Sequence, residues 1–161
     1  MRTAHVNASP LLSRIAAALA HQRLEAILIG NAAAALHGAP VTTLDFDFFF
    51  RDTPHNRKKL KAVATELGAA VFRPYYPVSS LFRVIADDSG LQLDFMSVAH
   101  GVHSFEGLRA RATLVEFSGN ALRVASLDDI IKSKRAAGRP RDIAVLPVLE
   151  ATREEQKASK T

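Results

Sequence analysis

The amino-acid sequence predicts an α/β (α+β) domain, a mixed β-sheet flanked by helices, and three observations lead there. Strand-like and helix-like segments alternate along most of the chain, the pattern of a sheet covered by helices. The composition is globular, 48% hydrophobic and 23% charged, which excludes a wholly disordered chain. The 161 residues suffice for one buried core and are too few for two ordinary domains. We assign residues 1–151 to the domain and 152–161 to a polar C-terminal tail.

The elements follow from local chemistry. Ser9 suits an N-cap and Pro10 the first helical position, and Leu11, Leu12, Ile15, Ala18 and Leu19 share one helix face. Arg2 and this apolar stretch imitate a signal peptide, but the capping chemistry favours a helix of a cytoplasmic protein, and no stretch approaches the ~20 apolar residues of a membrane span. Ala26–Ile29 reads as a short buried strand ending at Gly30, and Asn31–His37 as an Ala-rich helix closed by Gly38 and Pro40. Leu44–Phe50 begins with strict alternation, a strand signal. Asp52, Thr53 and Pro54 open a helix that stops near Leu67 and Gly68.

Strands are expected over Ala70–Phe72, Leu81–Ile85 and Leu91–Met96, the last two joined by the turn Asp87–Gly90. Thr113–Phe117 and Ala121–Val124 flank a hairpin turn at Ser118-Gly119-Asn120. Ser126 caps a helix over Leu127–Ala137 that Gly138 ends, and Pro140 starts another reaching about Arg153, which Pro147 kinks or shortens.

Charge is concentrated. Residues 51–61 carry +4 and residues 132–141 carry +5, so a net +5 leaves −4 on the other 140 residues. The protein is therefore a mildly acidic body with two basic patches, suited to nucleic acid, acidic lipid or a polyphosphate. The absence of cysteine rules out disulfides, thiolate metal sites and a cysteine nucleophile.

Asp45 and Asp47 are the most informative pair. On a strand, a spacing of two sends both carboxylates to one face and leaves Leu44, Phe46, Phe48 and Phe50 on the other. Adjacent carboxylates repel unless a cation lies between them, and Mg²⁺ favours such hard oxygen ligands. An isolated pair of this kind is more often simply solvated. Asp94 adds a third acid, set opposite the apolar Leu91, Leu93 and Phe95 of its own strand. Three such acids can hold two divalent ions able to activate a hydroxyl and stabilise a leaving phosphate. Gly30-Asn31 stands at a strand-to-helix junction, where glycine admits a close ligand and the helix N-terminus favours phosphate.

Gly30-Asn31, thirteen residues, Asp45-Phe46-Asp47 and a later strand acid, Asp94, together resemble the signature of the nucleotidyltransferase superfamily. The stretch ILIGNAAAALHGAPVTTLDFDFFF is similar to small bacterial nucleotidyltransferase-like proteins, including those of toxin–antitoxin systems, and LDDIIKSKRAAGRPRD resembles their C-terminal helix segment. The likeness covers roughly residues 24–150, and it departs at Asn31, where the family has Gly or Ser. It implies a minimal nucleotidyltransferase-like fold and the transfer of a nucleoside monophosphate from an NTP to a hydroxyl on RNA, protein or a small molecule. It further implies two Mg²⁺ held by Asp45, Asp47 and Asp94, with Asp94 also the candidate base. Gly30 and Asn31 would meet the β- and γ-phosphates, Lys134 would offset charge in the transition state, and Lys132 and Asp142 complete the nucleotide-binding candidates. With no acceptor-binding domain apparent, a partner chain or a homodimer would supply the acceptor site. The competing expectations are a non-catalytic, antitoxin-like regulatory partner and a plain RNA-binding domain; the second leaves the acids unexplained, since they oppose phosphate. His37 reads as structural, His100 and His103 as neighbours on a helix face without a third ligand, and Arg57, Lys58, Lys59 and Lys61 as ordinary surface.

Overall fold

The computed structural model describes residues 9–41, 45–73 and 81–159. Leu44, expected to open a strand, and the side chain of Ser9, expected to cap, lie outside the described residues. In chain order the elements are α1 (Ser9–Gln22), β1 (Ala26–Ile29), α2 (Gly30–Leu36), β2 (Phe46–Phe50), α3 (Pro54–Glu66), β3 (Ala70–Phe72), β4 (Phe82–Ala86), β5 (Leu91–Met96), α4 (Phe105–Arg111), β6 (Thr113–Phe117), β7 (Asn120–Val124), α5 (Leu127–Ala137) and α6 (Pro140–Ser159). Among the described residues, seven strands form one mixed sheet in the order β3-β4-β5-β2-β1-β7-β6. β2 pairs parallel with β5 and antiparallel with β1, and β1 pairs parallel with β7. The expected α/β architecture, a mixed sheet flanked by helices, is the one observed. No helix among the described residues is long and apolar enough to cross a membrane.

Phenylalanines anchor the centre of the sheet. Phe48 stacks on Phe95 at 5.0 Å between ring centroids, and Phe50 meets Phe82 and Phe95 edge-on at 6.0 and 5.8 Å. Phe48, Phe50 and Phe95 are fully buried, and burial of such a ring is worth about 1.5–3 kcal/mol. Phe49 is buried too, on the other face, where it stacks on Phe105 of α4. Both faces of β2 are thus covered at its C-terminal end, and only its beginning opens to a cavity.

Caps account for the helix boundaries. Thr53 accepts a hydrogen bond from the Asn56 backbone amide at 3.0 Å with Pro54 at the first helical position. Ser126 does the same for α5, accepting from the Asp129 amide at 3.1 Å. Gly138 ends α5 in the left-handed conformation at φ 64°. The two-residue turn of the β6–β7 hairpin has positive φ at both Ser118 and Gly119, the geometry that matches strand twist.

Several boundaries differ from expectation. β2 begins at Phe46, so Asp45 precedes the strand instead of sharing its alternation. β4 runs from Phe82 to Ala86, one residue later than expected, and β7 starts at Asn120. α6 does not end near Arg153 but runs to Ser159, past Pro147. The proline removes the bond to the Ile143 carbonyl, but Ile143 and Pro147 are exposed, so water can take the freed acceptor. Thr152 is buried, and Gln156 donates to Nδ1 of His37, so this stretch packs on the body. His37 in turn donates from Nε2 to the Ala125 carbonyl at 2.7 Å, the structural role expected of it.

Candidate active site

The acids are placed by strand register. Ile29 on β1 stands opposite Asp47 on β2, Asp47 opposite Asp94 on β5, and Asp94 opposite Arg83 on β4. One row across the sheet therefore carries two carboxylates side by side with a guanidinium beyond them. Gly30 follows Ile29 at φ +71°, a conformation that favours glycine, and a Cβ there would lie 3.3 Å from Oδ2 of Asp47. The first turn of α2 that Gly30 opens has no side-chain cap, so its amides face outward without a side-chain acceptor.

Ile29, Asp47 and Asp94 of this row line a cavity of about 390 Å³. Gly30, Lys134, Arg139 and Arg141 line the same cavity. Met96, Val98 and Val102 supply an apolar rim, with Val98 71% exposed. His100 also lines the cavity, yet neither it nor His103 is helical: both precede α4 in a turn and an extended stretch, which corrects the shared-face expectation. The loop carrying His100 is pressed against α5 at Gly101, where a Cβ would sit 3.0 Å from the Lys132 carbonyl oxygen and 3.1 Å from the Ser133 Cα.

The electrostatics single out Asp47. Its carboxyl is pushed up to about 6, first by burial and then by the charges of Asp94 and Asp45, while Lys134 and Arg83 pull it back only in part. Lys134 is lowered from its ordinary value, chiefly by burial, against the favourable charge of Asp142 3.7 Å away. Burial alone would raise Asp142, which is 1% exposed, but hydrogen bonds from the Arg139 side chain and backbone amide, with the charges of Arg139 and Lys134, hold it below the usual carboxylate range. Asp142 thus fastens the start of α6 to the end of α5 and anchors Lys134 beside the cavity.

The structure brings Gly30, Asp47, Asp94, Lys134 and Asp142 to one cavity. Asp45 is exposed and outside the lining, and its charge reaches Asp47 and Arg83. Lys132 is exposed and outside the lining, as α5 can turn only one of its two lysines inward. Asn31 is also outside the lining, with its Oδ1 buried and no hydrogen-bond partner. Arg139 and Arg141 join Lys134, so the second basic patch contributes three cations. In the first patch Arg57 is taken up by Asp52 at 2.6 Å, consistent with a surface role.

Arg83 is a neighbour of the acids that sequence reasoning missed. Its Nε and Nη2 donate to the two oxygens of Asp94 at 2.9 and 3.2 Å. That pairing turns the third acid toward β4, and among the described residues no group of three acidic or histidine side chains is arranged to hold a metal ion in this conformation. The donor set nevertheless suits a hard divalent cation: it is all carboxylate oxygen, and burial together with the charges of Asp94 and Asp45 pushes Asp47 up to about 6. Alternation along Phe82, Arg83 and Val84 marks Arg83 as facing away from the core, but only strand register shows what it meets.

The described fold is similar to solved nucleotidyltransferases. The crystal structure of the ANT(2'')-Ia protein in complex with adenylyl-2''-tobramycin is 18% identical, with a TM-score of 0.61 over 97% of this chain and 100% of that one. The solution structure of the same antibiotic-resistance factor gives 17% identity and a TM-score of 0.59, over 96% and 93%. A Thermotoga maritima protein assigned as a nucleotidyltransferase, TM1012, gives 16% identity and a TM-score of 0.54, over 94% and 92%. No family model and no curated protein matches the sequence. At these identities the likeness establishes the fold.

Proposed function

We propose that this chain, built on the nucleotidyltransferase fold, is a Mg²⁺-dependent nucleotidyltransferase that moves a nucleoside monophosphate from an NTP to a hydroxyl acceptor. The observation that carries this reading is one cavity lined both by the paired acids Asp47 and Asp94 and by Lys134, Arg139 and Arg141, with the bare backbone of Gly30 beside Asp47. Acids alone would repel a triphosphate and cations alone would need no acids; the combination suits a polyphosphate that arrives with divalent metal.

Asp45, Asp47 and Asp94 would hold the ions. When bound, Mg²⁺ would neutralise the carboxylates and polarise the α-phosphate for attack. The remaining work falls to the chain. Gly30 leaves room for the β- and γ-phosphates at the uncapped start of α2, and Lys134, steadied by Asp142, offsets charge that grows on the leaving group. Arg139 and Arg141 extend that positive wall. Asp94, once released by Arg83, would accept the acceptor's proton as the hydroxyl oxygen attacks the α-phosphorus. The new P–O bond forms as the bond to the β-phosphate oxygen breaks, and pyrophosphate leaves. Consumption of NTP fits a cytoplasmic reaction.

The acceptor is a hydroxyl on RNA, protein or a small molecule. The adenylylated aminoglycoside bound to ANT(2'')-Ia argues for including small polyols and aminoglycosides among those tried. The purified protein incubated with labelled NTPs, Mg²⁺ and such a panel, cell extract included, should transfer label to one class. An absence of transfer to every class, or transfer undiminished in Asp47→Ala, overturns the reading. The second reading, an antitoxin-like regulatory partner without catalysis, draws on the engaged state of Asp94 and gains from the first of those outcomes.

A further inference from the structure

The Arg83–Asp94 pair is not needed to join its two strands. β4 and β5 are already joined along five residue pairs from Phe82↔Phe95 to Ala86↔Leu91. The Arg83 side chain is 38% exposed while Asp94 is buried, so Arg83 supplies the partner that a desolvated carboxylate requires. The pair is bidentate, a geometry that fixes the carboxylate plane and occupies both of its oxygens. Arg83 also serves more than one acid. Its guanidinium is held above its ordinary value first by the hydrogen bond to Asp94, against burial, and then by the charges of Asp94, Asp45 and Asp47.

A guanidinium forked onto Asp94 opposes a divalent ion twice, by its charge and by occupying both carboxylate oxygens. Without Arg83 that opposition is gone, and a divalent ion is held more tightly. Resting on the nucleotidyl-transfer reading above, we propose that Arg83 is the resident counter-ion of the acid cluster: it holds Asp94 in the metal-free protein and yields that carboxylate to a divalent cation. Arg83 is thus a positioning residue for Asp94 and sets the threshold for metal capture. It keeps the free protein a weak metal binder.

Mn²⁺ binding, followed by loss of the free-ion EPR signal at pH 7.5, tests this with and without a non-hydrolysable α,β-methylene NTP. Nucleotide-free Arg83→Gln should bind Mn²⁺ about tenfold more tightly than the natural protein, and Arg83→Lys, which keeps charge but loses the fork, should fall between. Adding Asp94→Asn to Arg83→Gln should remove the gain. In the unsubstituted protein, Mg²⁺ should shift the Arg83 Nε–H resonance as the guanidinium lets go. An Arg83→Gln affinity within twofold of natural, or weaker, overturns the inference, as does an Arg83 resonance unmoved at saturating Mg²⁺. If Arg83→Gln tightens Mn²⁺ binding but no variant transfers nucleotide, the counter-ion role stands and the transfer reading falls. If no variant takes up Mn²⁺ with or without nucleotide, both fall.

Discussion

The two ends of β2 handle charge in opposite ways. At its C-terminal end Arg51 donates to Glu25 and Glu106 and lies 4.1 Å over the Phe105 ring, while Arg109 donates to Glu25 at 2.8 Å. At its N-terminal end Asp47 stands beside Asp94, to which Arg83 is paired, and the charge of Asp45 reaches Asp47. The carboxyls report the difference. Burial would raise Glu25, but hydrogen bonds from Arg109 and Arg51 win and hold it below its ordinary value, whereas Asp47 is driven up to about 6. A balanced network is finished structure. A buried carboxyl crowded by two other acids is the opposite case.

The strongest test of that contrast is activity. Asp47→Ala should lower nucleotidyl transfer by on the order of a thousandfold in a labelled-NTP assay, while Glu25→Gln at the other end should leave it within twofold. Equal losses would dissolve the distinction. Next, Lys134→Ala should cost about a hundredfold in kcat/KM, as expected for a buried cation beside a developing charge. Lys132→Ala, exposed on the same helix, should cost less than twofold.

Stability sharpens the comparison further. A carboxyl raised in the folded state favours the fold fully below its unfolded value of 3.8 and loses that contribution as pH rises through about 6. Denaturant unfolding without metal should therefore show Asp47→Asn more stable than the natural protein by about 1–3 kcal/mol at pH 7.5, with the gain gone at pH 4. Glu25 has the reverse sign: its contribution is present above its unfolded value and is lost as pH falls through its lowered folded value. Glu25→Gln should accordingly lower stability at pH 7.5, by less than about 1 kcal/mol because the side chain is 40% exposed. A loss at neutral pH in Asp47→Asn would contradict the crowding argument directly.

How much of this the sequence reveals depends on how local the cause is. Thr53, Ser126 and Gly138 announce their helix ends because a cap involves neighbours three or four residues away. Asp47 and Asp94 are visible because alternation puts each opposite apolar residues of its own strand. Arg83 is hidden because its meaning lies in β4–β5 register, and alternation alone does not say which residue stands across. α4 is hidden for another reason: it has seven residues, capped by Ser104, and only Phe105 and Leu108 buried, too few for a period to emerge. The burial of Asp142 comes from α5 and α6 packing on each other, which no spacing in the chain encodes.

The tight approach at Gly101 has a consequence for the site as a whole. The acids are ruled by the sheet, residue against residue, and cannot drift without slipping a strand. Lys134 is ruled by a different measure: α5 rests against the loop at Gly101, where the Lys132 carbonyl leaves no space for a methyl group. Two independent rulers thus set the gap between acid and base. The thickness of that one loop acts as a shim, so a change there would alter the width of the cavity while leaving Asp47 and Asp94 where they stand.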